Sequence, residues 1–202
     1  MKDHPMNAPS DFRSDNVTGV SPEVMQALNA VNTGTMASYG GDEVTARLQS
    51  RLSEIFEKDV TVFPVLTGTA ANVLSLTSLT PPHGSVFCHR QAHIEEDEAG
   101  GTEFYTGGAK LVLLDGPAGK YSAEALTERL ATAGQRTPHM VPPTTVSLTQ
   151  ATELGGVYTL DEISAITEVA RGRDMGVHMD GARFANALVS LGCSPADMTW
   201  RA

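Results

Sequence analysis

The residues best suited to chemistry fall in four short stretches. In Thr67-Gly68-Thr69-Ala70-Ala71-Asn72 a small, hydroxyl-bearing turn opens a helical pattern. Backbone N–H groups, the helix dipole and side-chain hydroxyls at such a start together suit a phosphate. A threonine N-cap after a tight turn accounts for the same residues, so the loop alone leaves both uses open. It is not GxGxxG and lacks the GK[ST] ending of a P-loop, which counts against dinucleotides and nucleoside triphosphates.

The second stretch is His178-Met179-Asp180-Gly181-Ala182-Arg183. An acid at the carboxyl end of a strand, a glycine that permits close approach and an arginine just beyond could hold a cationic heteroaromatic nitrogen beside an anionic group. The plainer alternative is that Asp180 caps a helix and pairs with Arg183. The third runs from His89 to Gly101 and contains His93 and an acidic run, Glu95-Glu96-Asp97-Glu98. On a helix His89 and His93 would face one way and could bind a divalent metal, but there is no HExxH, and a histidine after a strand could instead lie flat over a planar cofactor. The fourth is Asp11-Phe12-Arg13-Ser14-Asp15-Asn16. Behind it Ser21-Pro22 reads as a helix start, which leaves Ser14 and Asp15 unexplained.

The elements that must position these residues alternate. Val44, Leu48, Leu52, Ile55 and Phe56 fall at helical spacing after Asp42. Short apolar or β-branched runs follow at Val60–Phe63, Ser85–Cys88, Ala109–Leu114, Thr144–Leu148 and Gly176–Met179. Helical patterns lie between them at Thr69–Leu79, Ser122–Ala133 and Thr159–Arg171, with Ala182–Leu191 after the last, while Glu95–Tyr105 is ambiguous. Strands alternating with helices imply an α/β fold with a mostly parallel sheet covered on both faces. Ligands of such sheets sit beyond the carboxyl ends of the strands, where the first stretch, after the run around Val62, and the second and third lie.

Composition narrows the classes. The 202 residues carry a formal net charge of −10, with 41% hydrophobic and 19% charged residues. That length supports a core without disulfides or structural zinc. The acidic balance works against nucleic-acid backbones and anionic lipid. Cys88 and Cys193 are far apart and form no CxxC, so a disulfide framework and a zinc ribbon are poor readings and a reducing cytoplasm is the expected compartment. Residues 1–10 lack the apolar centre of a secretory signal and read as a flexible tail. Apolar runs such as Leu111–Leu114 fall far short of the ~20 residues a bilayer needs.

Taken in order, Phe12-Arg13-Ser14-Asp15-Asn16-Val17-Thr18, Tyr39-Gly40-Gly41-Asp42, Thr67–Asn72, Gln91-Ala92-His93 with Glu98-Ala99-Gly100-Gly101, and His178–Arg183 resemble the threonine aldolases of the β-eliminating lyase group. The similarity runs from about Asp11 to Ala202. It implies the aspartate-aminotransferase-like large domain (pyridoxal-phosphate fold type I) over residues 11–202, and retro-aldol cleavage of threonine, allo-threonine and related β-hydroxy-α-amino acids to glycine and an aldehyde. The implied cofactor is pyridoxal 5'-phosphate (PLP). By the same resemblance Gly68 and Thr69 hold its phosphate, and His93 stacks on its ring and accepts the hydroxyl proton. Asp180 pairs with the ring nitrogen, Gln150 approaches the ring, Arg183 and Ser14 grip the substrate carboxylate, and Tyr39 lines the site. No metal is implied. A homodimer or homotetramer with active sites between subunits is.

Two departures from the family stand out. Many members carry a histidine in the stretch matching Gln150-Ala151-Thr152-Glu153, and this chain has none. In the resembled family the lysine that carries the cofactor falls roughly 30 residues after the motif aspartate, and a small C-terminal domain follows; the given sequence ends at Ala202. Lys2, Lys58, Lys110 and Lys120 all read as solvated. The chain is therefore expected to be the front portion of a longer enzyme, or a truncated copy of one. Another fold type I lyase or aminotransferase, or a non-catalytic phosphate- or metal-binding α/β fragment, are the competing readings.

Overall fold

Four short runs of apolar and β-branched residues pair into one sheet: β1 (Ser85–His89), β2 (Lys110–Leu114), β3 (Pro143–Thr149) and β4 (Gly176–Asp180). The structure is a computed structural model that describes residues 17–134 and 138–202. All pairings are parallel and the strand order is β2-β1-β3-β4. Val86 lies opposite Leu111 on one side and Thr145 on the other, and Val146 lies opposite Val177. After β1 the chain goes out to β2 and returns past β1 to β3, so the order reverses between β1 and β3. A crevice opens at such a reversal beyond the strand ends.

The helices follow from local capping. In α3 (Gly68–Leu79) the Thr67 hydroxyl accepts the Ala70 N–H at 3.1 Å. In α6 (Ala123–Thr132) Ser122 does the same for Ala125. Thr159 and Glu162 form a reciprocal capping box on α7 (Leu160–Arg171). The ambiguous segment resolves into two short helices, α4 (His93–Glu96) and α5 (Gly101–Thr106). Between them Gly100 adopts φ 73°, a conformation that favours glycine. A Cβ on Gly101 would stand 3.0 Å from the Val73 side chain, so glycine there lets α5 sit close against α3. The last helix, α8, begins at Phe184 rather than Ala182 and runs to Leu191.

Alternation along the strands sends side chains to both faces. One face packs Phe87, Val146 and Leu148 with Leu126 and Leu130 of α6 and Ile163 and Ile166 of α7. The other packs Val86 and Cys88 with Leu76 of α3 and Ile94 of α4. Burying a Leu or Ile side chain of this kind contributes about 1.5–3 kcal/mol. The α/β, mostly parallel reading holds, and four of the five expected strands form.

Val60–Phe63 does not. Its backbone is taken up by side chains of α2 (Glu43–Ile55): the Gln49 amide donates to the Val60 carbonyl and accepts from the Val62 N–H, and the Val60 N–H donates to the Ser53 hydroxyl. With these groups satisfied, the segment stays outside the sheet.

By internal contacts the chain divides into Met1–Ala46 and Arg47–Ala202, a division absent from the sequence reading of 11–202 as one domain. The first unit holds α1 (Pro22–Val31), started by Ser21 and Pro22 as the sequence predicts. Residues 1–10 and Ser14 lie outside the described residues. Among the described residues no helix is long and apolar enough to cross a membrane.

Candidate active site at the strand carboxyl ends

Asp180 ends β4 and is buried. Its Oδ1 accepts the Ala182 N–H at 3.0 Å, closing a turn two residues long. Its Oδ2 accepts from Asn72 Nδ2, also at 3.0 Å. Asn72 sits in the second turn of α3 and donates through the same nitrogen to Glu98 Oε1 at 2.8 Å. His93, at the start of α4, brings its Nδ1 to 2.9 Å from that same Glu98 oxygen. One polar chain thus runs His93, Glu98, Asn72, Asp180, drawn from α4, the loop after it, α3 and the end of β4.

The loop after β3 closes the group from the other side of the crevice. Glu153 Oε1 accepts the His93 backbone N–H at 3.0 Å and lies 3.7 Å from the Arg183 guanidinium. Arg183 Nε donates to the Ala151 carbonyl at 3.0 Å. Arg183 therefore does not pair with Asp180, as one sequence reading allowed. Held by its Nε, its fork keeps N–H groups available to a carboxylate.

The other expected residues fall as follows. Gly68 and Thr69 occupy the exposed first turn of α3, and open space surrounds the Gly68 Cβ position. Tyr39 belongs to the first unit, fully exposed with φ 59°. Gln150 requires a correction. It is completely buried, and its amide spans the backbone of Tyr158, donating to the carbonyl at 2.9 Å and accepting the N–H at 3.0 Å. A side chain committed in this way supports the loop from within the core and does not face a ligand. Its backbone N–H donates to the Asp180 carbonyl at 2.9 Å.

His89 and His93 do not share a helix, because His89 still belongs to β1. Its Nδ1 accepts the Gln91 N–H and its Nε2 donates to the Gly116 carbonyl, which occupies both ring nitrogens. Among the described residues no group of three or more His, Cys, Asp or Glu side chains is arranged to hold a metal. Cys88 lies one residue away, but burial pushes its thiol up to about 12, far from a reactive thiolate. The expectation of solvated lysines fails at Lys120. It pairs with Glu162 at 2.8 Å, donates to the Val157 carbonyl and lies over the Tyr158 ring. Lys58 lies over Trp200.

Asn72, Glu98 and Glu153 were not singled out from the sequence. Asn72 and Glu98 end and begin matched motifs, yet 26 positions separate them and 108 separate Asn72 from Asp180. No local spacing signals those contacts.

The parallel sheet with this loop cluster is the large-domain architecture of fold type I PLP enzymes, and solved structures agree. The chain superposes on the threonine aldolase of Leishmania major with TM-score 0.84 at 27% identity, over 90% of this chain and 53% of that one. It belongs to the beta-eliminating lyase family, whose profile matches residues 11–202. Low-specificity L-threonine aldolases from a Pseudomonas species and from Pseudomonas aeruginosa are each 41% identical over 191 residues, 95% of this chain and 55% of theirs. The chain spans about half the length of the curated relatives it matches.

Proposed function

We propose that the whole protein is a PLP-dependent aldolase that splits L-threonine, L-allo-threonine and related β-hydroxy-α-amino acids into glycine and an aldehyde. The observation that carries this reading is the buried Asp180 carboxylate, linked through Asn72 and Glu98 to His93, with Arg183 three residues along the chain. The family and the aldolase relatives support it.

The residues present fit the cofactor. Two of about four lone-pair positions on Asp180 are used, leaving room to accept a ring N–H. The exposed first turn of α3 offers Gly68 and Thr69 to a phosphate. When bound, PLP supplies an electron sink for the carbon–carbon bond that breaks.

The chain's own residues do the rest. Asp180 would hold a proton on the ring nitrogen of the bound cofactor. His93 would lie over the ring, its imidazole placed to take the β-hydroxyl proton of the substrate. Arg183 binds the substrate carboxylate, fixing which Cα bond is presented for cleavage. Thr152 stands near the position where many family members carry a histidine, but its hydroxyl donates to the Ala118 carbonyl and accepts the Gly156 N–H. That loop carries no imidazole, and His93 is the residue proposed as base.

The test is an assay of the whole protein, carried through to the length of its relatives, for PLP-dependent release of glycine and acetaldehyde from L-threonine and L-allo-threonine. Release that disappears with Asp180→Ala supports the reading. Elimination or transamination products in place of glycine would replace it with another reaction on the same scaffold.

A further inference from the structure

Glu98 takes no part in the chemistry described above, yet it is one of the more unusual groups in the molecule. Its side chain is 0% exposed. One oxygen, Oε1, receives both the His93 ring at 2.9 Å and the Asn72 amide at 2.8 Å. The other, Oε2, is buried without a hydrogen-bond partner among the described residues. Burying a carboxylate costs stability unless its bonds are strong, so the position calls for an explanation beyond packing.

The bonding pattern supplies one. Asn72 Nδ2 can only donate, so Oε1 is an acceptor. A proton on Oε2 would have no acceptor nearby, and an ionised carboxylate accepts from an imidazole N–H. The His93 ring therefore carries its proton on Nδ1. Its backbone is fixed separately, by the 3.0 Å bond from its N–H to Glu153. With both ends held, the second nitrogen of the neutral ring is the acceptor, on a side chain that is 40% exposed. In a neutral imidazole the partner of one nitrogen decides the state of the other.

We propose that Glu98 is a positioning residue that fixes His93 in the Nδ1–H tautomer, so that Nε2 is the atom presented to a substrate hydroxyl. Asn72 sets the lean of Glu98 by holding the shared oxygen with one amide hydrogen while the other goes to Asp180. The base and the carboxylate proposed to meet the ring nitrogen are thereby mounted on one support. The tautomer follows from the bonding pattern alone; its use in catalysis rests on the aldolase reading.

Imidazole nitrogen chemical shifts of the ¹⁵N-labelled chain test this directly, with His93→Gln identifying the resonances. In its neutral form the wild-type ring is expected to show a protonated Nδ1 and an unprotonated Nε2. Glu98→Ala should release the ring to the Nε2–H form usual for free imidazole, while Glu98→Gln, whose amide oxygen can replace Oε1, should keep Nδ1–H. In the whole protein Glu98→Ala should lower kcat by about 10²-fold with KM little changed, and Glu98→Gln should recover much of that loss. An Nε2–H wild type, or an unchanged tautomer in a folded Glu98→Ala variant, overturns the proposal. Should the alanine variant not fold, the wild-type spectrum and Glu98→Gln decide it. The expected tautomer together with no aldol cleavage would instead remove the aldolase reading and leave the role of Glu98 toward His93 standing.

Discussion

Asn72 Nδ2 lies 3.0 Å from Asp180 Oδ2, joining the second turn of α3 to the end of β4 across 108 residues of chain. The same nitrogen holds Glu98, so one amide keeps two buried carboxylates in place. Asn72→Ala leaves both without that donor. It should destabilise the fold by about 1–3 kcal/mol and weaken PLP binding, as read by thermal unfolding and by titration with the cofactor. An unchanged melting temperature would show that the bridge is not formed in solution.

Gln150 serves the core. Gln150→Leu, close in volume, strands the N–H and carbonyl of Tyr158. Denaturant unfolding should show a loss of about 1–3 kcal/mol for each unpaired group, with PLP affinity retained. The reverse pattern, normal stability and lost affinity, would return Gln150 to the cofactor site.

This residue also marks the limit of what the sequence discloses. Period and turn chemistry reveal β1 to β4, the capped helices and the loops that carry His93, Asp180 and Arg183, because these are local properties. Which way the Gln150 side chain turns depends on Tyr158 and Met198, contributed by later segments. Asn72, Glu98 and Glu153 become functional candidates only when loops distant in sequence meet at the reversal in strand order. Val60–Phe63 has the composition of a strand, but Gln49 and Ser53 of the preceding helix satisfy its backbone first.

Stability should depend on pH through His178. Burial pushes this imidazole from 6.5 down to about 4, with the Asp180 charge opposing the shift. Between these values the unfolded chain binds a proton that the native chain does not. The stabilisation is complete above pH 6.5 and is lost as pH falls toward 4, by roughly 3 kcal/mol in all. His178→Asn, which can still bond Ser147, should flatten this part of the profile in urea titrations at a series of pH values. Parallel profiles for the two proteins would mean that His178 protonates as readily folded as unfolded.

Arg183 is assigned to the substrate carboxylate by its fork. In the whole protein Arg183→Lys should raise KM for threonine roughly 10–100-fold, the range expected from about 1.5–3 kcal/mol of charged hydrogen bonding. Steady-state kinetics with an unaltered KM would place the carboxylate elsewhere.

The most direct measurement is a calorimetric titration of the 202-residue chain with PLP, made side by side with Asp180→Ala. Saturable one-to-one binding by the wild type, weakened sharply in a variant with the same circular dichroism spectrum, is the result this account predicts. Binding that Asp180→Ala leaves untouched, or no binding by the wild type, would contradict the assignment of the site.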